Sequence, residues 1–140
     1  MSIYADSSCL VALYLADRRL AQAQRLRAQH ARVWLTPLHR VELAHSVARQ
    51  ALMKKISAAE AQEVLAQFQE DRKSRVWIEV NLPERTFDRC VQLVQQYSGR
   101  VPMATLDTLH IASALELGAE RFWTFDERQA KLARTVGLKS

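Results

Sequence analysis

Glycine and proline are scarce in this chain of 140 residues, three of each, and no segment repeats another or falls into low complexity. That scarcity leaves nothing from which to build a long linker or a repeat array. With 49% hydrophobic residues, a chain of this length buries one sizeable core and is too short to divide comfortably into two. A single domain over residues 1–140 is expected. Cysteine is scarcer still. Cys9 and Cys90 lie far apart in apolar helix-like stretches, with no Cys or His at metal-ligand spacing, so they read as buried thiols. No apolar run approaches the ~18 residues a membrane span requires, and no basic segment followed by an apolar one opens the chain. No membrane association and a reducing cytoplasm are therefore expected.

Acidic residues are the minority, 15 Asp and Glu against 20 Lys and Arg, for a formal charge of +5 and a pI near 9.6. Such a balance favours an anionic partner. The basic residues are scattered rather than gathered in a tail, so charge supports nucleic acid without identifying it.

Short apolar runs alternate with longer helical patterns, an order that predicts a parallel sheet covered by helices, because parallel strands need crossover connections. The expected strands are Ser2 to Ala5, Arg32 to Leu35, Val76 to Val80 and Arg121 to Phe125, with a last apolar step at Leu138 as a further edge. Helices are expected over Ser8 to Leu15 and Arg18 to Gln29. Thr36-Pro37 has the form of an N-cap and first helical residue for a helix reaching Lys54. Ser57 and Glu60 form a capping-box pattern for a helix reaching Lys73, and the two helices make a hairpin. Pro83 to Tyr97 is amphipathic, with Ser98-Gly99 expected to end it through a left-handed glycine. The segment from Leu106 to Leu117 is apolar on nearly every face, which implies a helix buried between neighbours, and Gly118 closes it.

Within this pattern four acids stand out. Asp6 directly follows the first strand and Asp126 the fourth, at the carboxyl ends where open parallel sheets bind ligands; each is equally placed to be a helix N-cap, and Gln129 offers Asp126 a capping-box partner. Asp107 falls in the first turn of the buried helix, where it complements the helix dipole but is costly unless paired or coordinated. Glu42 lies near Leu38, Val41, His45 and Leu52 on the helical wheel, which puts its carboxylate at the margin of a core-facing stripe, as a metal-site residue or as the partner of a buried Arg. All four positions can meet at one end of a sheet. Four converging carboxylates would repel one another, so convergence implies a bound cation, and all-oxygen ligation selects Mg²⁺ or Mn²⁺ over zinc.

The histidines offer little competition. His39 and His45 are six residues apart and do not share a helix face, so with Glu42 they make no zinc site. His110 lies one turn after Asp107 and reads as a core histidine, with a hydrogen-bonding role behind the acids as the alternative. Trp34, Trp77, Phe122 and Trp123 occupy core-like strand positions rather than a base-stacking platform.

Ala5-Asp6-Ser7-Ser8, Val41-Glu42-Leu43, the run from Leu106 to Ala114 (LDTLHIASA) and Thr124-Phe125-Asp126 together resemble the PIN-domain family, and in particular the VapC-type toxins of bacterial toxin–antitoxin pairs. The likeness spans the whole chain, and the third segment is its most specific part. It implies that Asp6, Glu42, Asp107 and Asp126 are the catalytic, metal-holding quartet, with Ser8 and Thr124 as supporting polar residues. It further implies an α/β, PIN-like three-layer fold with a parallel four- to five-stranded sheet and helices on both faces. The implied activity is that of a Mg²⁺- or Mn²⁺-dependent endoribonuclease, a homodimer or toxin–antitoxin hetero-oligomer inhibited by a cognate antitoxin. An ion held by the three aspartates would acidify a water and neutralise charge on the phosphodiester, while Glu42 either completes the coordination or orients the water. The alternative is a PIN-like module that binds RNA or protein without cutting. Aspartyl-phosphate phosphatases are excluded by Ser8, which stands where their second Asp belongs, and receiver domains by the absence of their paired acids, phosphoacceptor Asp and Lys. A dimer surface is expected around the helices from Ala58 to Gln69 and Phe87 to Val94.

Overall fold

Four short strands form one parallel sheet in the computed structural model, which describes residues 2–15 and 32–140. They are β1 (Ser2–Ala5), β2 (Arg32–Leu35), β3 (Ile78–Glu79) and β4 (Arg121–Trp123), in the order β3-β2-β1-β4. Among the described residues the connections carry α1 (Ser7–Tyr14), α2 (Pro37–Leu52), α3 (Ala58–Lys73), α4 (Thr86–Tyr97), α5 (Thr105–Glu116) and α6 (Glu127–Thr135). The helix expected over Arg18 to Gln29 lies outside the described residues. No described helix is long and apolar enough to cross a membrane.

Side-chain alternation along the strands sorts the molecule into three layers. Ile3, Ala5, Val33 and Leu35 face one way and pack with Cys9 and Leu10 of α1, Leu43 and Val47 of α2 and Phe68 of α3. Tyr4 and Phe122 face the other way, against Cys90 and Leu93 of α4, Ile111 and Ala112 of α5 and Leu132 of α6. Each cysteine is a buried thiol in one of these layers. The run from Thr108 to Ala114 is buried throughout, as its apolar composition on every face requires.

The sheet order places β1 between β2 and β4, paired Ile3 to Val33 on one side and Tyr4 to Phe122 on the other. The chain thus leaves β1 in one direction and returns to its opposite edge as β4. At such a reversal the connections diverge and leave a crevice beyond the carboxyl ends of the strands. Asp6 N donates to Trp123 O at 2.9 Å, which holds the two ends together at the crevice.

Several element ends differ from expectation. The third strand shortens because Val76 and Trp77 descend from the end of α3 into the core before pairing begins at Ile78. The fourth ends at Trp123, since the Thr124 side chain is drawn across to Asp6. Pro83 to Arg85 form a turn ahead of α4, closed by Thr86 N to Pro83 O at 3.0 Å. Leu138 adds no strand but one bridge, Arg121 to Lys139. Gly99 is not left-handed; Ser98 stays right-handed and the chain leaves α4 through bonds from Arg100 N and Val101 N to Tyr97 O. The buried stripe of α2 is His39, Leu43 and Val47, whereas Val41 is 56% and Leu52 83% exposed. Glu42 therefore borders the core through His39 and Leu43; of the neighbours its helical wheel suggested, Leu38 packs against the core while Val41, His45 and Leu52 are exposed.

Candidate active site

The four acids gather at the crevice, and each is held differently. Asp6 is 5% exposed. Its Oδ1 accepts from Ser8 Oγ at 2.5 Å and from Cys9 N at 3.3 Å, and its Oδ2 accepts from Thr124 Oγ1 at 2.6 Å. Burial pushes its carboxyl above the usual range, and the Ser8 and Thr124 hydroxyls oppose that rise. Capping and site building are thus one arrangement: the backbone bond that starts α1 also fixes the carboxylate.

Asp126 repeats the device at the start of α6, where Oδ1 accepts from Arg128 N at 2.8 Å and Gln129 N at 3.1 Å. Its own N–H donates to Thr124 Oγ1 at 3.0 Å, so one threonine hydroxyl ties Asp126 to Asp6. The Gln129 side chain does not reach back to close a capping box. It donates instead to Asp107 O at 3.2 Å and lies 3.0 Å from Thr124 Oγ1, linking α6 to the first turn of α5.

Asp107 sits in that turn. Burial raises its pKa first, then the charges of Asp126 and Asp6, and Glu42 adds to them while His110 works against them. The four carboxylates therefore share one electrostatic neighbourhood.

Glu42 approaches from α2. Its Oε1 accepts from Ser7 Oγ at 2.8 Å and from His110 Nε2. Burial pushes this carboxyl up, but the hydrogen bond and charge of His110, with help from Ser7, outweigh it and leave the group below the usual carboxylate range. His110 is itself buried, and its Nδ1 lies 2.7 Å from the Tyr4 hydroxyl. Burial raises the pKa of that phenol, so Tyr4 stays neutral. Both sequence readings of His110 hold together: it is a core histidine and it contacts an acid. The His110–Glu42 contact joins residues 68 apart, and no local pattern announces it. Ser7 was visible beside Asp6 but carried no signal of its bond to Glu42.

His39 belongs to a different structure. Its Nε2 donates to Ala5 O at 2.6 Å and its Nδ1 accepts from Thr36 N at 3.0 Å. Burial, then the charge of His110, lowers its pKa to about 3, so it is a neutral strut under the end of β1. Phe122 and Trp123 of β4 are buried, as is Trp77 just ahead of β3, whereas Trp34 of β2 is half-buried.

The donor set of the crevice is all oxygen, which suits a hard divalent cation. Each of Asp6, Glu42 and Asp126 keeps lone-pair capacity on the oxygen opposite its doubly hydrogen-bonded one: Asp6 Oδ2 accepts only from Thr124, and Glu42 Oε2 and Asp126 Oδ2 lie outside the bonds that engage Oε1 and Oδ1. Among the described residues no three Asp, Glu, His or Cys side chains yet stand close enough to grip an ion, an arrangement in keeping with the mutual repulsion that raises Asp107.

The PIN domain family matches residues 3–135. No curated protein matches the sequence. Among solved structures, the Mycobacterium tuberculosis toxin VapC20, described as cleaving the sarcin-ricin loop, is 20% identical, with a TM-score of 0.72 over 97% of this chain and 95% of that one. A chain of VapBC2 from Rickettsia felis, solved bound to a DNA fragment from its promoter, is 14% identical, with a TM-score of 0.70 over 99% of this chain and 96% of that one. The α/β/α architecture is theirs, and by the match over nearly its whole length the chain belongs to the PIN-domain family.

Proposed function

We propose that the chain is a divalent-metal-dependent endoribonuclease, the toxin of a toxin–antitoxin pair, with Asp6, Glu42, Asp107 and Asp126 as its catalytic and metal-holding residues. The observation that carries this reading is the gathering of the acids at the crevice: Thr124 ties Asp126 to Asp6, Gln129 of α6 donates to the Asp107 backbone, and the charges of Asp126, Asp6 and Glu42 all reach Asp107. Uncompensated, that repulsion only destabilises the fold; a cation in the crevice turns it into binding energy. Mg²⁺ or Mn²⁺ fits the oxygen donors, and when bound supplies charge neutralisation at the scissile phosphate and a water of lowered pKa.

The protein's own contributions are positional. Ser8 and Thr124 keep Asp6 in one rotamer by gripping both its oxygens, and the start of α6 does the same for Asp126. Among the described residues no such clamp holds the Asp107 carboxylate, which makes it the acid most able to adjust as an ion enters. Glu42, below the usual carboxylate range, stays ionised and orients either ion or water. The net charge of +5 favours approach of RNA to the protein as a whole.

An antitoxin and a second copy of the chain are the proposed protein partners. A groove of about 480 Å³ beside Glu42, lined by Leu38, Val41, His45, Arg49, Leu82 and Leu106, offers an antitoxin apolar contact next to the acids. VapBC2 supports such a pairing as a structural relative solved as a complex.

The deciding experiment compares wild type with Asp107→Asn. Wild type should bind Mn²⁺ in calorimetry and cut RNA in Mg²⁺ or Mn²⁺ but not in EDTA. The variant should fold normally, judged by circular dichroism, yet lose cleavage by at least about 100-fold, in the range expected when a group acting on the transition-state charge is removed. Undiminished cleavage by the variant would sink the assignment. Metal binding by wild type without cleavage of varied RNAs would favour a binding module.

A further inference from the structure

We propose that His110, held from behind by Tyr4, is the positioning residue for Glu42, and that it restricts Glu42 to working through a single carboxylate oxygen. The inference rests on the reading of the crevice as a metal-dependent nuclease site, and it specifies how one of the four acids operates there.

Three contacts carry it. Glu42 Oε1 accepts from two donors at once, His110 Nε2 and Ser7 Oγ at 2.8 Å. A carboxylate oxygen has two lone pairs near its plane, so Oε1 is filled and Oε2 alone is left to face the crevice. His110 cannot turn away, because the Tyr4 hydroxyl lies 2.7 Å from Nδ1 and the ring is 1% exposed, packed by Tyr4 and His39. A carboxylate only accepts, so Nε2 carries a proton, and the tautomer is set by the partner.

The same contacts exclude a different chemistry. A serine, a histidine and a glutamate in contact suggest a nucleophilic triad, which needs the imidazole between the other two, one at each ring nitrogen. Here Ser7 Oγ, 3.2 Å from Nε2, and Glu42 share that nitrogen, and Tyr4 occupies the other. Ser7 donates to Glu42 and is not activated by it. The cluster is a clamp on a carboxylate.

Clamping one oxygen has a functional consequence. A bidentate Glu takes two coordination positions of an ion, whereas a Glu with one available oxygen takes one or works through a water. Mg²⁺ demands near-octahedral geometry and keeps several waters, so a one-oxygen Glu42 leaves those positions open. Partners of this kind behind a ligand characteristically contribute 10–100-fold to metal affinity or activity.

The test uses the full chain with His110→Gln, His110→Leu and Tyr4→Phe, each checked by circular dichroism and thermal unfolding. The glutamine amide can stand in for Nε2 as donor, while leucine fills the volume without donating. For His110→Leu, Mn²⁺ affinity by calorimetry should fall at least about 10-fold, with kcat for RNA falling similarly and KM for RNA little changed. His110→Gln should recover Mn²⁺ affinity to within about threefold of wild type. Tyr4→Phe, which leaves every acid and its direct partners in place, should weaken Mn²⁺ binding by a smaller factor, and it carries the test should His110→Leu not fold. Wild-type Mn²⁺ affinity in a folded His110→Leu, or in Tyr4→Phe where His110→Leu does not fold, overturns the proposal. Equal losses in the glutamine and leucine variants also overturn it. In either case the nuclease reading survives provided Asp107→Asn still abolishes cleavage. A wild-type protein that neither binds Mn²⁺ nor cleaves overturns both.

Discussion

Asp107 differs from the other three acids in what surrounds it: Asp6, Glu42 and Asp126 all accept hydrogen bonds from side chains or helix N-termini, while Asp107 chiefly receives the fields of its neighbours. The sign of its contribution to stability follows. Its folded pKa is raised, so stabilisation is fully present below the unfolded value near 3.8 and is lost as pH rises through the folded pKa. At neutral pH the ionised group therefore destabilises the metal-free fold. Asp107→Asn should raise the metal-free unfolding midpoint at pH 7.5 by a few degrees, an active-site trade of stability for function. That gain should shrink as pH falls toward 4. Mn²⁺ should raise the midpoint of wild type in proportion to the logarithm of its concentration above Kd, and should do little for the variant. A variant less stable than wild type without metal would show that Asp107 is satisfied within the protein and that the repulsion argument fails.

Among the elements, helix ends separate what the sequence reveals from what it hides. Four of the six described helices finish in the same way, with a left-handed residue after the cap and paired backbone bonds that return to the last turn. Gly118 and Gly137 supply that residue for α5 and α6, at φ 68° and 92°. Lys54 and Arg75 supply it for α2 and α3, at φ 58° and 56°. The bonds at α3 run from Arg75 N to Arg72 O at 3.1 Å and from Val76 N to Asp71 O at 3.0 Å. A side chain in this conformation costs roughly 1–2 kcal/mol, partly offset because glycine has more freedom to lose on folding. Lys54→Gly and Arg75→Gly should each stabilise by about 0.5–1 kcal/mol, read as a higher urea midpoint with an unchanged m-value. A lower midpoint in both would mean that the lysine and arginine stems contribute packing that outweighs the strain. Composition made Gly118 legible and Lys54 and Arg75 illegible, and it misdirected Gly99, because a glycine permits a left-handed turn without requiring one. The same divide runs through the site. Asp6 and Asp126 were readable because each follows a strand and opens a helix, a purely local pattern. Glu42 stands out beside a stripe of which the structure packs Leu38 against the core and exposes Val41, His45 and Leu52; its hydrogen-bond partners, Ser7 and His110, come from 35 and 68 residues away, and helical periodicity carries no information about them.

For the whole molecule, the three-layer arrangement leaves the outer side of α4 with several exposed apolar side chains. On α4, Phe87, Val91 and Val94 are 56%, 56% and 41% exposed and follow one another at intervals of four and three, so they form a single stripe that flanks the buried face of Thr86, Cys90 and Leu93. Isolated exposed apolar residues are ordinary, and the aligned row is where the proposed contact between copies is placed. A second copy of the chain is the proposed occupant, and a two-fold axis through the stripe would set each residue near its own counterpart. A single Val91→Glu then introduces two like charges into one desolvated patch, and the cost is counted twice per dimer. Light scattering at micromolar concentration should give wild type twice the 16.0 kDa chain mass and Val91→Glu the chain mass alone. Because Val91 belongs to no part of the acid cluster, the variant should keep the Mn²⁺-induced rise in unfolding midpoint, which separates assembly from metal binding. A wild-type protein that scatters as a monomer, or a Val91→Glu variant that remains dimeric, would move the interface off α4 and leave the stripe to another partner.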